Sequence, residues 1–105
     1  MEITFDKAYL RELYETGKTS DKKHWFQPQT IRKYRKTIDL LESVSVVEDL
    51  FRYNGLRYEA LHGDKGGLES VRVDDKYRIE FKTKQVVSET IVTICNIIEL
   101  SNHYQ

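Results

Sequence analysis

The stretch that most restricts the fold is Ser70-Val71-Arg72-Val73-Asp74-Asp75-Lys76-Tyr77-Arg78-Ile79-Glu80-Phe81, where apolar and polar residues alternate on both sides of an Asp-Asp-Lys break. Alternation at period two belongs to strands with one buried face, so the segment reads as a β-hairpin. The loop length decides which residues face each other. A two-residue turn at Asp74-Asp75 would pair Val73 with Lys76 and mix the faces. A three-residue loop of Asp74, Asp75 and Lys76 pairs Val73 with Tyr77 and Val71 with Ile79, so that cross-strand partners share a face. The longer loop is the consistent choice. It sets Val71, Val73, Tyr77, Ile79 and Phe81 toward a core and leaves Arg72, Arg78 and Glu80 together on the opposite face.

The chain before this hairpin has a different period. Residues 2–5 form a short β-prone run, and Asp6 offers an N-cap for a helix carrying Tyr9, Leu10, Leu13 and Tyr14. Gly17 ends that helix. A polar connection follows, broken by Trp25 and Phe26. Pro28, the only proline, suits the first position of a second helix, where its missing N–H costs nothing. Ile31, Tyr34, Ile38 and Leu41 then form one apolar stripe. Ser45-Val46-Val47-Glu48 reads as a capping box for a short third helix with Val47, Leu50 and Phe51, and Asn54-Gly55 as a turn. Residues 56–61, 68–73, 76–81 and 90–100 are strand-like. The whole predicts an α+β fold: an N-terminal strand and two to three helices packed on one face of an antiparallel sheet, whose other face stays partly open.

At 105 residues, the expectation is one domain spanning residues 1–105. Charged residues make up 32% and apolar ones 39%, a globular balance rather than a disordered one. No apolar run approaches membrane-spanning length, and residues 1–6 lack signal-peptide character. Cys95 stands alone, which excludes a disulfide framework and reads as a small buried hydrophobe. The expected setting is cytoplasmic. Seventeen basic residues balance seventeen acidic ones, so any nucleic-acid surface must be a local patch; Arg32, Lys33, Arg35 and Lys36 cluster in the second helix. Such a run is usually a solvated helix face; if functional, it would bind an anionic partner.

Tyr58-Glu59-Ala60-Leu61-His62-Gly63-Asp64-Lys65-Gly66-Gly67, then Ser70-Val71-Arg72-Val73 and Tyr77-Arg78-Ile79-Glu80-Phe81, taken in order, resemble the HigB-like "host killer" toxins of the RelE/ParE superfamily. The closing Glu99-Leu100-Ser101-Asn102-His103-Tyr104 resembles that family's last strand and histidine motif. The helical half matches only in its order of elements. The resemblance implies a RelE/ParE-like fold, a type II toxin that cleaves mRNA on the ribosome, and a HigA-like helix-turn-helix antitoxin as partner. It implies no metal, no small-molecule cofactor and no membrane. Three positions depart from the family pattern: His62 stands where many relatives carry Lys, Glu59 takes the place of an upstream histidine, and Ser101-Asn102-His103 replaces Asp-Tyr-His.

RNA cleavage without metal needs an activated 2′-OH, a stabilised phosphorane and a protonated leaving oxygen. The resemblance implies Arg78 for the phosphate, since its planar fork binds two oxygens and stays charged. An ion pair with Glu59 or Glu80 is the plain alternative for the same residue. His103 and His62 are the candidate proton carriers, Lys65 and Arg72 the backbone-holding cations, and Tyr104 a base-stacking residue. The Gly63-Asp64-Lys65-Gly66-Gly67 loop lacks P-loop spacing and reads as a turn between two strands. His24-Trp25-Phe26 reads as core or loop packing, with antitoxin contact as the sharper reading. Two other functions fit the same chain: a ParE-like toxin that binds a topoisomerase without catalysis, and a decayed toxin that only binds its antitoxin as co-repressor.

Overall fold

Residues 1–102, described by a computed structural model, run in the order β1 (Glu2–Phe5), α1 (Ala8–Thr16), α2 (Pro28–Ser43), β2 (Glu59–Ala60), β3 (Glu69–Arg72), β4 (Tyr77–Val87) and β5 (Ile91–Asn102), with short 3₁₀ turns between α2 and β3. The sheet order is β1-β5-β4-β3-β2. Neighbours from β2 to β5 are antiparallel, whereas β1 lies parallel to β5 with Ile3 opposite Cys95 and Phe5 opposite Ile97. A parallel pair needs a long crossover, and here the whole chain between the two strands supplies it. The α+β architecture is the expected one, with the N-terminal strand closing one edge.

The core lies between the helices and one sheet face. Leu10 and Leu13 of α1 meet Tyr34, Ile38 and Leu41 of α2, and these pack with Val71, Ile79, Phe81, Cys95 and Ile97 of the sheet. Tyr34 is fully buried, yet its hydroxyl donates to the Leu10 carbonyl at 2.8 Å, so no polar tip is stranded. Burial pushes its pKa well above the usual tyrosine value. Cys95 sits in the same core, and burial raises its thiol to about 12, in keeping with a packing role.

The helix boundaries follow local chemistry with two exceptions. Gly17 closes α1 in the left-handed conformation (φ 76°), its N–H reaching the Leu13 carbonyl at 3.0 Å, and Pro28 opens α2. Asp6 does not cap α1. Its N–H donates to the Ile97 carbonyl at 2.8 Å just past the end of β1, and Lys7 occupies the N-cap without a side-chain bond. The box at Ser45 to Glu48 does not form either. Val47–Arg52 is a 3₁₀ helix preceded by Val46, and the Ser45 N–H is taken by the Asp49 carboxylate at 3.3 Å. Leu50 anchors this turn in the core and Val47 packs against it, while Phe51 stays exposed.

Two strands differ in extent from the sequence pattern. The run 56–61 yields only Glu59–Ala60, because Asn54–Leu56 is a 3₁₀ turn and Arg57 adopts a left-handed backbone that no strand accommodates. β4 runs past Phe81 to Val87, whereas β3 ends its pairing at Glu69 opposite Phe81. Beyond Lys84, where β1 also ends its pairing at Ile94, β4 and β5 continue as a two-stranded ribbon. Among the described residues no helix is long and apolar enough to cross a membrane.

Candidate active site

The β3–β4 hairpin has the three-residue loop that its alternation demands. Val71 faces Ile79, Arg72 faces Arg78, and the Val73 N–H reaches the Tyr77 carbonyl at 3.0 Å. Asp74 organises the loop: one carboxylate oxygen accepts the N–H groups of Lys76 (2.9 Å) and Tyr77 (2.8 Å), and the other accepts the Thr30 hydroxyl at 2.8 Å. Partial burial by itself would raise the Asp74 pKa. The Thr30 hydroxyl and the two backbone donors outweigh it and hold the carboxyl below the usual range. Thr30 belongs to α2, so this one carboxylate ties the hairpin loop to the helical layer.

On the face away from the core, Arg72 and Arg78 are direct cross-strand partners. Like charges opposite each other destabilise a sheet unless they are compensated. Each has a carboxylate: Arg72 pairs with Asp75, and Arg78 Nη1 reaches Glu59 Oε1 at 2.6 Å and the Ser70 hydroxyl at 3.1 Å. The Arg78 side chain is only 18% exposed, so its guanidinium is held rather than waving in solvent. Together with Arg57, Tyr77 and Asp74, the two arginines, Asp75 and Ser70 line a cleft of about 70 Å³. Arg57 enters it from a left-handed backbone (φ 46°), an unfavourable state for a residue with a side chain.

Glu80, one pair further along, is nearly buried and bound by Lys65 Nζ at 2.6 Å. Lys65 stands on a short 3₁₀ turn, Gly63–Lys65, with no α-helix after it, in line with a turn rather than a phosphate loop. His62 is exposed at the start of that turn and does not line the arginine cleft. His103 and Tyr104 lie outside the described residues. The last described residue of β5, Asn102, is the register partner of Tyr77 at the cleft wall.

Arg72 and Arg78 are therefore brought together as the alternation requires. Arg57 and Ser70 were not singled out in the sequence. Ser70 shares strand parity with Arg72, a signal that was available; nothing local marks Arg57. Glu59 appears as the ion-pair partner of Arg78, which was the plain alternative for that arginine.

Residues 3–94 match the family described as RelE-like toxin of type II toxin-antitoxin system HigB. The chain belongs to that family. It is 32% identical over 84 residues to Toxin HigB-1 of Vibrio cholerae serotype O1, which spans 78% of this chain and 83% of that one. A solved YoeB/ParE toxin from Agrobacterium tumefaciens superposes with a TM-score of 0.57 over 99% of this chain and 100% of its own, at 19% identity. At that identity the likeness speaks for the fold alone. Membership makes this chain a type II toxin with an antitoxin as partner.

Proposed function

We propose that this toxin is a metal-independent endoribonuclease that cuts mRNA on the ribosome and is silenced by a HigA-like helix-turn-helix antitoxin. The observation that carries the reading is the cleft where Arg57, Arg72 and Arg78 converge beside Tyr77. Three arginines lining one small cleft supply positive charge to offset the negative charge that a phosphorane develops, a task otherwise given to a metal ion. Arg78, fixed by Glu59 and Ser70, is the phosphate-binding residue, and Arg72 and Arg57 orient the adjoining backbone.

Cleavage proceeds by removal of the 2′-OH proton, attack of that oxygen on phosphorus, and departure of the 5′-oxygen with a proton. His103 and His62 are the proton carriers assigned from sequence, and Glu59, 2.6 Å from Arg78, is a further candidate base. Lys65 assists RNA binding electrostatically while anchored at Glu80, and Tyr104 stacks on a base.

Purified toxin, stripped with a chelator and desalted, should cut mRNA on programmed ribosomes, read by primer extension, at the rate of untreated toxin. Free transcript should remain whole. Intact transcripts together with DNA damage after induction in cells would overturn the reading in favour of a topoisomerase-binding toxin. Intact transcripts, no growth arrest and retained antitoxin binding would favour the co-repressor.

A further inference from the structure

The connection between α1 and α2 is ordered by its own side chains, and yet it holds the chain's only tryptophan out in solvent. The Thr19 hydroxyl donates to Glu12 at 2.5 Å and accepts the Asp21 N–H at 3.1 Å. Asp21 in turn accepts the Lys23 N–H at 3.0 Å and meets His24 Nδ1 at 2.9 Å. The His24 ring stacks on Tyr9 with centroids 3.7 Å apart. The next residue, Trp25, is 74% exposed, whereas Phe26 turns inward. A rigid loop that presents a large aromatic outward is pre-organised for contact.

Beside Trp25 lies a groove of about 780 Å³ whose apolar lining comes from Leu13, Phe26, Pro28 and Ile31. Its rim carries four cations, Lys18, Lys22, Arg32 and Arg35. The one carboxylate lining it among the described residues, Asp21, is already engaged by His24 and the Lys23 N–H. An apolar groove with a cationic rim complements an amphipathic segment with acidic flanks. Single-stranded RNA fits less well, because bases stack on open aromatic platforms, and of the aromatic rings lining this groove His24 is already stacked on Tyr9 and Phe26 is buried, which leaves Trp25.

We propose that this groove docks an acidic amphipathic segment of the antitoxin, with Trp25 as its anchor. The proposal rests on the toxin's type II membership, not on ribonuclease activity. The groove also adjoins the arginine cleft: Phe26 packs edge-on against Tyr77 at 5.2 Å, so the docked segment lies one aromatic layer from the cleft wall.

Because Trp25 is the only tryptophan, its fluorescence reports the groove directly. Titration with purified cognate antitoxin, any tryptophan of its own replaced by phenylalanine, should shift the emission to shorter wavelength and saturate. Trp25→Ala and the pair Lys22→Glu with Arg32→Glu should each weaken antitoxin affinity about tenfold or more. Trp25→Ala should still arrest growth, and co-expressed antitoxin should no longer relieve that arrest. Unmoved emission at saturating antitoxin, with both variants binding as wild type, would overturn the proposal. So would a shift produced by a short single-stranded RNA that both variants fail to bind. Loss of mRNA cleavage with an intact antitoxin-induced shift would sink the ribonuclease reading and leave this one standing.

Discussion

Val71, Ile79 and Phe81 on one face of the β3–β4 hairpin are fully buried, while Arg72 and Arg78, one step along the same strands, line a cleft on the other. The two faces obey opposite rules. The apolar face follows the usual pattern and is stable for ordinary reasons, each buried side chain favouring the same register. The charged face breaks a local rule by setting two guanidinium groups opposite each other, and it stands only with Asp75, Glu59 and Ser70 as compensation. A slip of one residue would exchange the faces, so burial of the first is what places the second. The site is aimed by residues that never touch it.

Phe81→Ala should cause the largest change. Removing a fully buried phenylalanine costs about 3–5 kcal/mol, measurable by urea denaturation, because the cavity cannot fully collapse. A loss under about 1 kcal/mol would show that this face does not hold the hairpin. Arg78→Ala should act oppositely: cleavage falls about 10²–10³-fold while the melting temperature barely moves, since Glu59 is half exposed and rehydrates. Arg78→Lys should recover only part of the rate, as an ammonium lacks the planar fork. Equal cleavage by Arg78→Ala and wild type at matched ribosome concentration would remove the charged face from the mechanism.

Lys65→Met tests the join between the faces. It leaves the nearly buried Glu80 carboxylate without its cation and should cost about 1–2 kcal/mol, which adding Glu80→Gln should largely restore. If the double variant is no more stable than the single one, the pair is not structural. Asp74→Asn should have the smallest effect, no more than about 1 kcal/mol at neutral pH. The folded-state pKa of Asp74 is depressed, so its contribution is present above the unfolded value near 3.8 and is lost as pH falls through the folded value. Stability curves of wild type and variant should therefore converge below about pH 4. A gap that persists into acid would assign the effect to packing.

Much of this was legible in the sequence because it is encoded locally. Period-two alternation named the buried residues of the hairpin and its loop, and Gly17 and Pro28 marked helix ends through their own backbone preferences. The misplaced caps at Asp6 and Ser45 have a common cause. A capping side chain competes with whatever else its backbone can bond. Asp6 went to the Ile97 carbonyl across the sheet, and the Ser45 N–H went to Asp49. The first competitor is invisible in a short window, whereas the second lies only four residues on. The site was legible to the extent that parity reveals it: Arg72 and Arg78 follow from alternation, and Ser70 could have.

The hairpin with Arg72 and Arg78 on one face, the helix stripes and the family itself were determined by the sequence alone, since strand and helix periods and turn chemistry act over a few residues. Only the tertiary structure decided that β1 joins parallel to β5, that Arg57 completes the cleft, and that Trp25 stands over a cationic groove. Each of these depends on surfaces meeting across distant parts of the chain. In the case of Arg57 it also depends on a left-handed backbone that the side chain itself disfavours and only the surrounding packing can impose.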